Sequence, residues 1–160
     1  MSSLIGVLHA SGVDDNEDVV GSILEALGEL EPYPDVRPAL KLLRSRDVRV
    51  VTLANGSAEM TDRLLDRAGL RSLVEATLSV NEAKAWKPRP EPYLAACRAV
   101  GVAPPRAALV AVHSWDVHGA AAAGLRTGWC SRLEGEFPPA FIAPTVRGTT
   151  LVEVVDQLTA

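Results

Sequence analysis

The sequence lacks the features of a membrane-bound, secreted or nucleic-acid-binding protein. No apolar run in it is long enough to cross a bilayer, and Met1–Ala10 lacks the basic region that opens a signal peptide. The formal net charge is −4 and no basic cluster is present, which argues against a nucleic-acid partner. We therefore expect a cytoplasmic protein with neither a membrane nor a nucleic acid as its partner.

Cysteine and lysine are both scarce. The two cysteines, Cys97 and Cys130, share no motif, and their positions on a predicted apolar helix stripe and at a predicted strand end favour buried thiols over a disulfide. Such thiols fit a reducing compartment. The lysines are Lys41, Lys84 and Lys87. Since lysine is this rare, Lys87 inside a proline-rich loop is conspicuous.

The residues that are present suit one domain with a substantial core, because 48% of the 160 are hydrophobic and 22% are charged. Short valine-rich runs alternate with stretches of helical periodicity, which predicts a parallel sheet with helices on its faces and right-handed crossovers. The predicted strands are 48–53, 77–80, 107–112 and 127–130. The predicted helices cover 36–43, 60–68, 90–100, 117–124 and 151–158, and 133–149 is predicted as surface loop.

The first 33 residues differ from the rest of the chain. Residues 5–9 and 19–30 both read as helical, and the second stretch has an apolar stripe. Asp14–Asn16 offers capping groups between them. We therefore predict two parts, a helical segment over 1–33 and an α/β core over 34–160.

Three segments follow a predicted strand and precede a predicted helix, which is where open α/β sheets place their chemistry. They are Thr52–Ser57, Lys87–Tyr93 and His113–Ala120. In the first, backbone N–H groups ahead of a helix N-terminus attract anions. The alternative is that Asn55 and Gly56 only make the turn and Ser57 caps the helix.

The other two segments carry side chains with two interpretations each. A lysine in a loop is usually solvated, but prolines stiffen the loop around Lys87 and aim its side chain, which strengthens the alternative of a functional point charge. Tyr93 suits either a site or a helix core, and Asp116 suits either a site or an N-cap that contributes about 1 kcal/mol. A metal site of His113, Asp116 and His118 is not predicted, since a strand end and a helix interior need not converge.

In order and character, these segments resemble the haloacid dehalogenase superfamily of hydrolases, closest to the branch that removes halide from 2-haloacids. The resemblance runs from about residue 3 to residue 158 and implies a Rossmann-like core. It implies that Lys87 stabilises the nucleophile and the negative substrate, that Asp116 orients the lysine and water, and that Asn55 helps receive halide. The remaining substrate-binding positions that it implies are Gly56, Tyr93, His113 and Trp115.

The resemblance implies a small anionic substrate, either a 2-halo acid or a phosphate ester. No cofactor is implied for the dehalogenase branch, whereas a phosphatase of this superfamily would bind magnesium through Asp116. Three positions depart from the pattern. Ala54 stands where the family has a hydroxyl that holds the substrate anion, and Ala111 and His113 stand where the dehalogenase branch often has serine and asparagine. We therefore expect this site to bind and orient water differently from the dehalogenase branch.

The family also uses an aspartate nucleophile after a first strand, which forms a covalent ester that water then cleaves. We find no such motif, because Asp14 and Asp15 read as capping residues and no Gly-Thr turn follows them. Residues 1–33 instead resemble the end of the family's helical cap. The chain thus reads as a core without its first strand, N-terminally shortened and inactive.

The missing strand would leave a gap between the strands ending at Leu53 and Val112. We expect those strands either to pair or to stand apart, and a borrowed strand would make a homo-oligomer possible. Two further interpretations stay open beside an inactive dehalogenase and a magnesium-dependent phosphatase. One is a non-catalytic anion-binding or interaction module, and the other is a longer enzyme whose start lies upstream.

Overall fold

The computed structural model describes residues 10–12 and 17–160, so the predicted helix at 5–9 and the capping groups of 14–16 lie outside the described residues. The chain divides into two compact units, Met1–Pro32 and Tyr33–Ala160. Helix α1 (Glu17–Gly28) belongs to the first. Of its predicted apolar stripe, Val20 is buried whereas Leu27 and Leu30 are exposed. The origin of this segment as part of a cap stays a prediction.

The second unit has the predicted α/β alternation. Its helices are α2 (Val36–Ser45), α3 (Ala58–Arg67), α4 (Pro90–Ala99), α5 (Ser114–Ala122) and α6 (Leu151–Thr159). Its strands are β1 (Val51–Ala54), β2 (Ala76–Ser79), β3 (Ala108–Ala111), β4 (Arg126–Cys130) and β5 (Val146–Gly148). Short 3₁₀ turns occupy Arg71–Leu73, Val80–Ala83 and Pro104–Arg106. Within the described residues, no helix is long and apolar enough to cross a membrane.

Strand β5 corrects the prediction that 133–149 is loop throughout. It pairs in parallel with β4, from Gly128 opposite Val146 to Cys130 opposite Gly148. The sequence Val-Arg-Gly is too short and too polar to predict a strand. The strand depends instead on packing against helix α6. Gly148 lies so near that helix that a Cβ there would be 3.0 Å from a Val154 methyl carbon.

The strands form two separate parallel sheets. One sheet has the order β1-β2 and the other has the order β3-β4-β5. In the part of the chain that is described, no strand pairs with the other edge of β1 or of β3. Of the two predicted outcomes for these strands, the structure has the one in which they stand apart. All four residues of β1 are only half-buried, whereas β4 is buried from Thr127 to Cys130.

Two apolar clusters pack helices within this unit. Cys130, Val154 and Leu158 make one cluster between β4 and helix α6. Gly128 lets that helix approach, since a Cβ there would be 2.4 Å from a Val154 methyl carbon. The other cluster contains Leu40, Leu70, Leu73 and Val74. Both cysteines are free and buried, as the sequence predicts.

An ion pair ties the starts of two helices to the sheet. The Asp35 carboxylate, just before α2, accepts hydrogen bonds from the Arg132 guanidinium at 2.9 Å and from the Leu151 backbone N–H at 2.6 Å. Leu151 opens helix α6. The hydrogen bonds from Arg132 hold the pKa of Asp35 below its ordinary value, against a smaller opposing effect of desolvation. Asp35 therefore remains an anion that organises this corner of the fold.

Candidate active site

The three segments singled out in the sequence meet at the carboxyl ends of β1 and β3. Asn55 directly follows β1, and its Oδ1 accepts a hydrogen bond from the Lys87 backbone N–H at 3.2 Å. The Lys87 ammonium in turn donates to Asp116 Oδ2, which follows β3, at 2.9 Å. One loop thus bridges the two sheets at the edge where α/β folds place their chemistry.

The Lys87–Asp116 pair is removed from water. Only 8% of the lysine side chain and 9% of the aspartate side chain are exposed, so their mutual attraction is screened little. The alternative that Asp116 is an N-cap is wrong. Helix α5 begins at Ser114, His113 occupies the cap position, and Asp116 lies in the first helical turn. There, its negative charge also faces the positive end of the helix dipole.

Tyr93 lies in the core, as one of its two interpretations predicts, and it also contacts Asp116. Its ring is 1% exposed within the core, and its hydroxyl donates to Asp116 Oδ1 at 2.6 Å. Burial, followed by the hydrogen bond to Asp116, raises the pKa of Tyr93 far above its ordinary value. The phenol therefore keeps its proton and stays a donor. Each carboxylate oxygen of Asp116 consequently has a partner.

The turn after β1 is held by hydrogen bonds within the fold. Ser57 caps helix α3 by accepting the Met60 backbone N–H at 3.3 Å, so the predicted cap is confirmed. The Gly56 carbonyl accepts from the Ser79 hydroxyl at 2.9 Å. A Cβ at Gly56 would meet nothing within 4 Å, so space does not require glycine there. The turn also positions Asn55, whose side chain binds the backbone of the Lys87 loop.

Gly119 sets how closely helix α5 approaches the Lys87 loop, a role that the sequence reasoning missed. A Cβ at this position would be 2.4 Å from the Pro88 carbonyl oxygen and 2.8 Å from the Tyr93 hydroxyl. Real Cβ contacts are not that short. The sequence does contain a signal for this close approach, since glycine stands about one helical turn after Asp116 in the segment His113–Ala120.

His113 and Trp115 lie at the same end of β3, and His113 contacts a residue that the sequence did not indicate, Glu134. Their rings stack with centroids 5.4 Å apart. His113 Nδ1 is 3.3 Å from Glu134 Oε1, and the other oxygen of Glu134 accepts the Ser114 backbone N–H at 2.8 Å. Glu134 comes from the loop between β4 and β5, where no periodicity marks it. His113 is thus held by a carboxylate.

His118 has different partners from His113. Its Nδ1 accepts the Ile142 backbone N–H at 3.0 Å, and its ring stacks on Phe141 with centroids 4.8 Å apart. Over residues 10–12 and 17–160, no group of at least three His, Cys, Asp or Glu side chains is arranged to hold a metal ion.

Known proteins match this arrangement of sequence and fold. The family model of haloacid dehalogenase-like hydrolases matches residues 3–124. Haloacetate dehalogenase H-2 of Moraxella sp. (strain B) is 34% identical over 75% of this chain and 54% of its own length. A phosphatase of Mycobacterium tuberculosis is 37% identical over 64% of this chain and 48% of its own. The crystal structure of a dehalogenase with an intermediate complex has a TM-score of 0.88 and 28% identity, over 99% of this chain and 70% of that one.

The parallel α/β core therefore has the fold of the haloacid dehalogenase-like hydrolases. The chain belongs to the haloacid dehalogenase-like hydrolases, and its relatives and structural neighbours support the 2-haloacid dehalogenase branch. The chain spans about half the length of the two curated relatives described above, 54% and 48% of them.

Proposed function

We propose that this site serves the hydrolytic removal of halide from a small 2-halo acid, through an ester on a carboxylate that the described residues do not provide. The observation that carries the proposal is the buried group formed by Lys87, Asp116 and Tyr93. A buried ammonium held by one carboxylate offers a second anion a strong electrostatic partner. A negatively charged nucleophile and a carboxylate substrate are such anions.

Asn55 suits the departing halide. Its Oδ1 is engaged by the Lys87 backbone N–H, so its Nδ2 donors remain for an anion at the end of β1. Gly56 would add its backbone N–H, and Trp115 an apolar wall. Ala54 provides no hydroxyl at this edge, so we propose that substrate anions are held here chiefly by Lys87 and backbone donors.

We propose dehalogenation over magnesium-dependent phosphate hydrolysis because both oxygens of Asp116 are already engaged. A magnesium ion on this carboxylate would be repelled by the Lys87 ammonium, which lies 2.9 Å from Oδ2, and would compete with the Tyr93 hydroxyl for Oδ1. The M. tuberculosis relative nevertheless makes a phosphatase the second candidate. Hydrolysis of p-nitrophenyl phosphate that depends on magnesium would favour it, and the absence of such hydrolysis would favour the dehalogenase.

We further propose that the 160-residue chain alone binds small carboxylates without turning them over. Asp116 lies in the first turn of α5 with its oxygens on Lys87 and Tyr93, which suits it to orient the lysine rather than to attack a substrate. Asp14 and Asp15 lie outside the described residues. With two free thiols, a reducing, cytoplasmic location fits this proposal.

The test combines calorimetry and halide release with 2-chloropropionate. We expect binding by the wild type, none by Lys87→Met, unchanged binding by the exposed control Lys41→Met, and no chloride release. Chloride release that is lost in Lys87→Ala would contradict inactivity while supporting the site. No carboxylate binding, together with self-association, would instead support a non-catalytic interaction module.

A further inference from the structure

We propose that His113, oriented by Glu134, is the proton acceptor for the water of the hydrolytic step. This inference rests on the proposed function, because the ester that the water attacks is the one formed in that reaction. Glu134 is then a positioning residue, which acts through the His113 imidazole.

The backbone places His113 beside the site. Its carbonyl oxygen accepts the backbone N–H groups of Asp116 and Val117, at 3.1 Å and 3.2 Å. These bonds anchor His113 at the start of α5, in the turn that carries Asp116. Stacking on Trp115 limits the orientations of the ring. With 45% of its side chain exposed, His113 is open to water, unlike Lys87 and Asp116.

Glu134 determines which ring nitrogen is basic. Desolvation raises the pKa of Glu134, but hydrogen bonds from Ser114, followed by His113, outweigh it and leave the pKa below its ordinary value. An ionised carboxylate only accepts hydrogen bonds, so the facing Nδ1 carries a proton. With the proton on Nδ1, the free lone pair of the imidazole is on Nε2, and imidazole is the side-chain group best suited to exchange protons near neutral pH.

The step balances without another reactant. The water oxygen bonds to the ester carbonyl carbon while His113 Nε2 takes a water proton. The tetrahedral intermediate then breaks its bond to the alkoxide oxygen, and the imidazolium returns the proton to that oxygen. The products are a free carboxyl group on the nucleophile and a 2-hydroxy acid.

Nuclear magnetic resonance of the ¹⁵N-labelled 160-residue chain tests the orientation through the two-bond correlations that distinguish histidine tautomers. We expect a protonated Nδ1 on His113. His118 is an internal reference with the opposite tautomer, since its Nδ1 accepts a hydrogen bond. Glu134→Gln should move His113 toward protonated Nε2, whereas Glu136→Gln, with the same charge loss on the same loop, should not. A wild-type His113 protonated on Nε2 would overturn the inference.

Hydrolysis of p-nitrophenyl acetate tests proton transfer without requiring halide or Lys87. We expect His113→Asn and Glu134→Gln to lower the rate several-fold, with a solvent deuterium effect in the wild type that His113→Asn loses. Circular dichroism checks that both variants fold. Equal rates in the wild type and His113→Asn would refute the role. A failed proposed function would instead appear as lost carboxylate binding with this ester result unchanged.

Discussion

At the residue scale, the hydroxyl of Tyr93 supports the orientation of Asp116. Tyr93→Phe keeps the ring but leaves Asp116 Oδ1 without its 2.6 Å donor inside the core. We expect the free energy of unfolding to fall by about 1–3 kcal/mol, the cost of an unsatisfied buried group, and carboxylate binding to weaken. Urea unfolding and calorimetry measure both effects.

The matched control is Tyr33→Phe, which removes a hydroxyl from a tyrosine that is 58% exposed. Its ring, which stacks under the Arg132 guanidinium, is retained. We expect a change within about 0.5 kcal/mol, as for other surface substitutions. Equal losses in the two variants would mean that the Tyr93 hydroxyl does not support the site.

Single residues also show how far sequence reasoning reaches. Lys87, Asp116 and Asn55 could be placed together because each belongs to a segment between a strand and a helix, and such segments meet at one edge of a parallel sheet. Glu134 could not, because its contact with His113 depends on the path of a loop without periodicity. Whether these residues act on a substrate stays a prediction.

At the element scale, Gly119 controls the packing of α5 against the Lys87 loop. Gly119→Ala would place a Cβ 2.4 Å from the Pro88 carbonyl oxygen, and backbone cannot yield as a flexible side chain does. We expect a loss of about 1–3 kcal/mol in the free energy of unfolding and weaker carboxylate binding, since α5 carries Asp116 away from Lys87.

The control is Gly21→Ala in helix α1, where a Cβ meets nothing within 4 Å. Both glycines are helical, so both substitutions gain helix propensity. Chemical denaturation should show Gly21→Ala as neutral or stabilising by up to about 1 kcal/mol. Stabilisation by Gly119→Ala would show that close packing does not set the Lys87–Asp116 geometry.

The hydrogen bonds that Asp35 accepts make the free energy of unfolding depend on pH. The folded-state pKa of Asp35 is lowered, so the folded state holds this proton less tightly than the unfolded state. Its stabilisation is present above the ordinary carboxyl pKa of about 3.9 and is lost as pH falls through and below that value. Asp35→Asn should cost about 2 kcal/mol at neutral pH, as loss of a charged hydrogen-bond acceptor does.

Urea unfolding between neutral pH and pH 3 measures this effect. The wild type should lose its advantage over Asp35→Asn as the solution becomes acidic. Asp47→Asn is the control, because the residue is exposed and asparagine also tolerates its positive φ of 56°. A constant difference between the wild type and Asp35→Asn across this range would contradict the role of the charge.

Elements differ in how well their sequences specify them. Strand β1 follows from a valine-rich run, and α4 from Pro90 and Pro92 at its start, because those signals are local. Strand β5 depends on contacts with β4 and α6 that no local pattern records. The same holds for the separation of the two sheets, for which the sequence left two outcomes open.

At the scale of the whole molecule, the edges of β1 and β3 that no strand of residues 10–12 and 17–160 pairs with set the expected solution behaviour. Each buried N–H or C=O without a partner costs about 1–3 kcal/mol, and an open strand edge is a template for another chain. We expect the 160-residue chain to be marginally stable as a dilute monomer. Its melting temperature should rise with protein concentration, because association stabilises the folded form.

Thermal unfolding by circular dichroism at two well-separated concentrations, with sedimentation velocity on the same samples, measures this behaviour. Trp86 is 65% exposed and offers a competing cause of association. Trp86→Ser removes that cause and leaves the strands unchanged, so association that persists in this variant implicates the strand edges. Association abolished by Trp86→Ser would assign it to the aromatic side chain instead. A cooperative, concentration-independent melt at high temperature would show that the two sheets are stable without another strand.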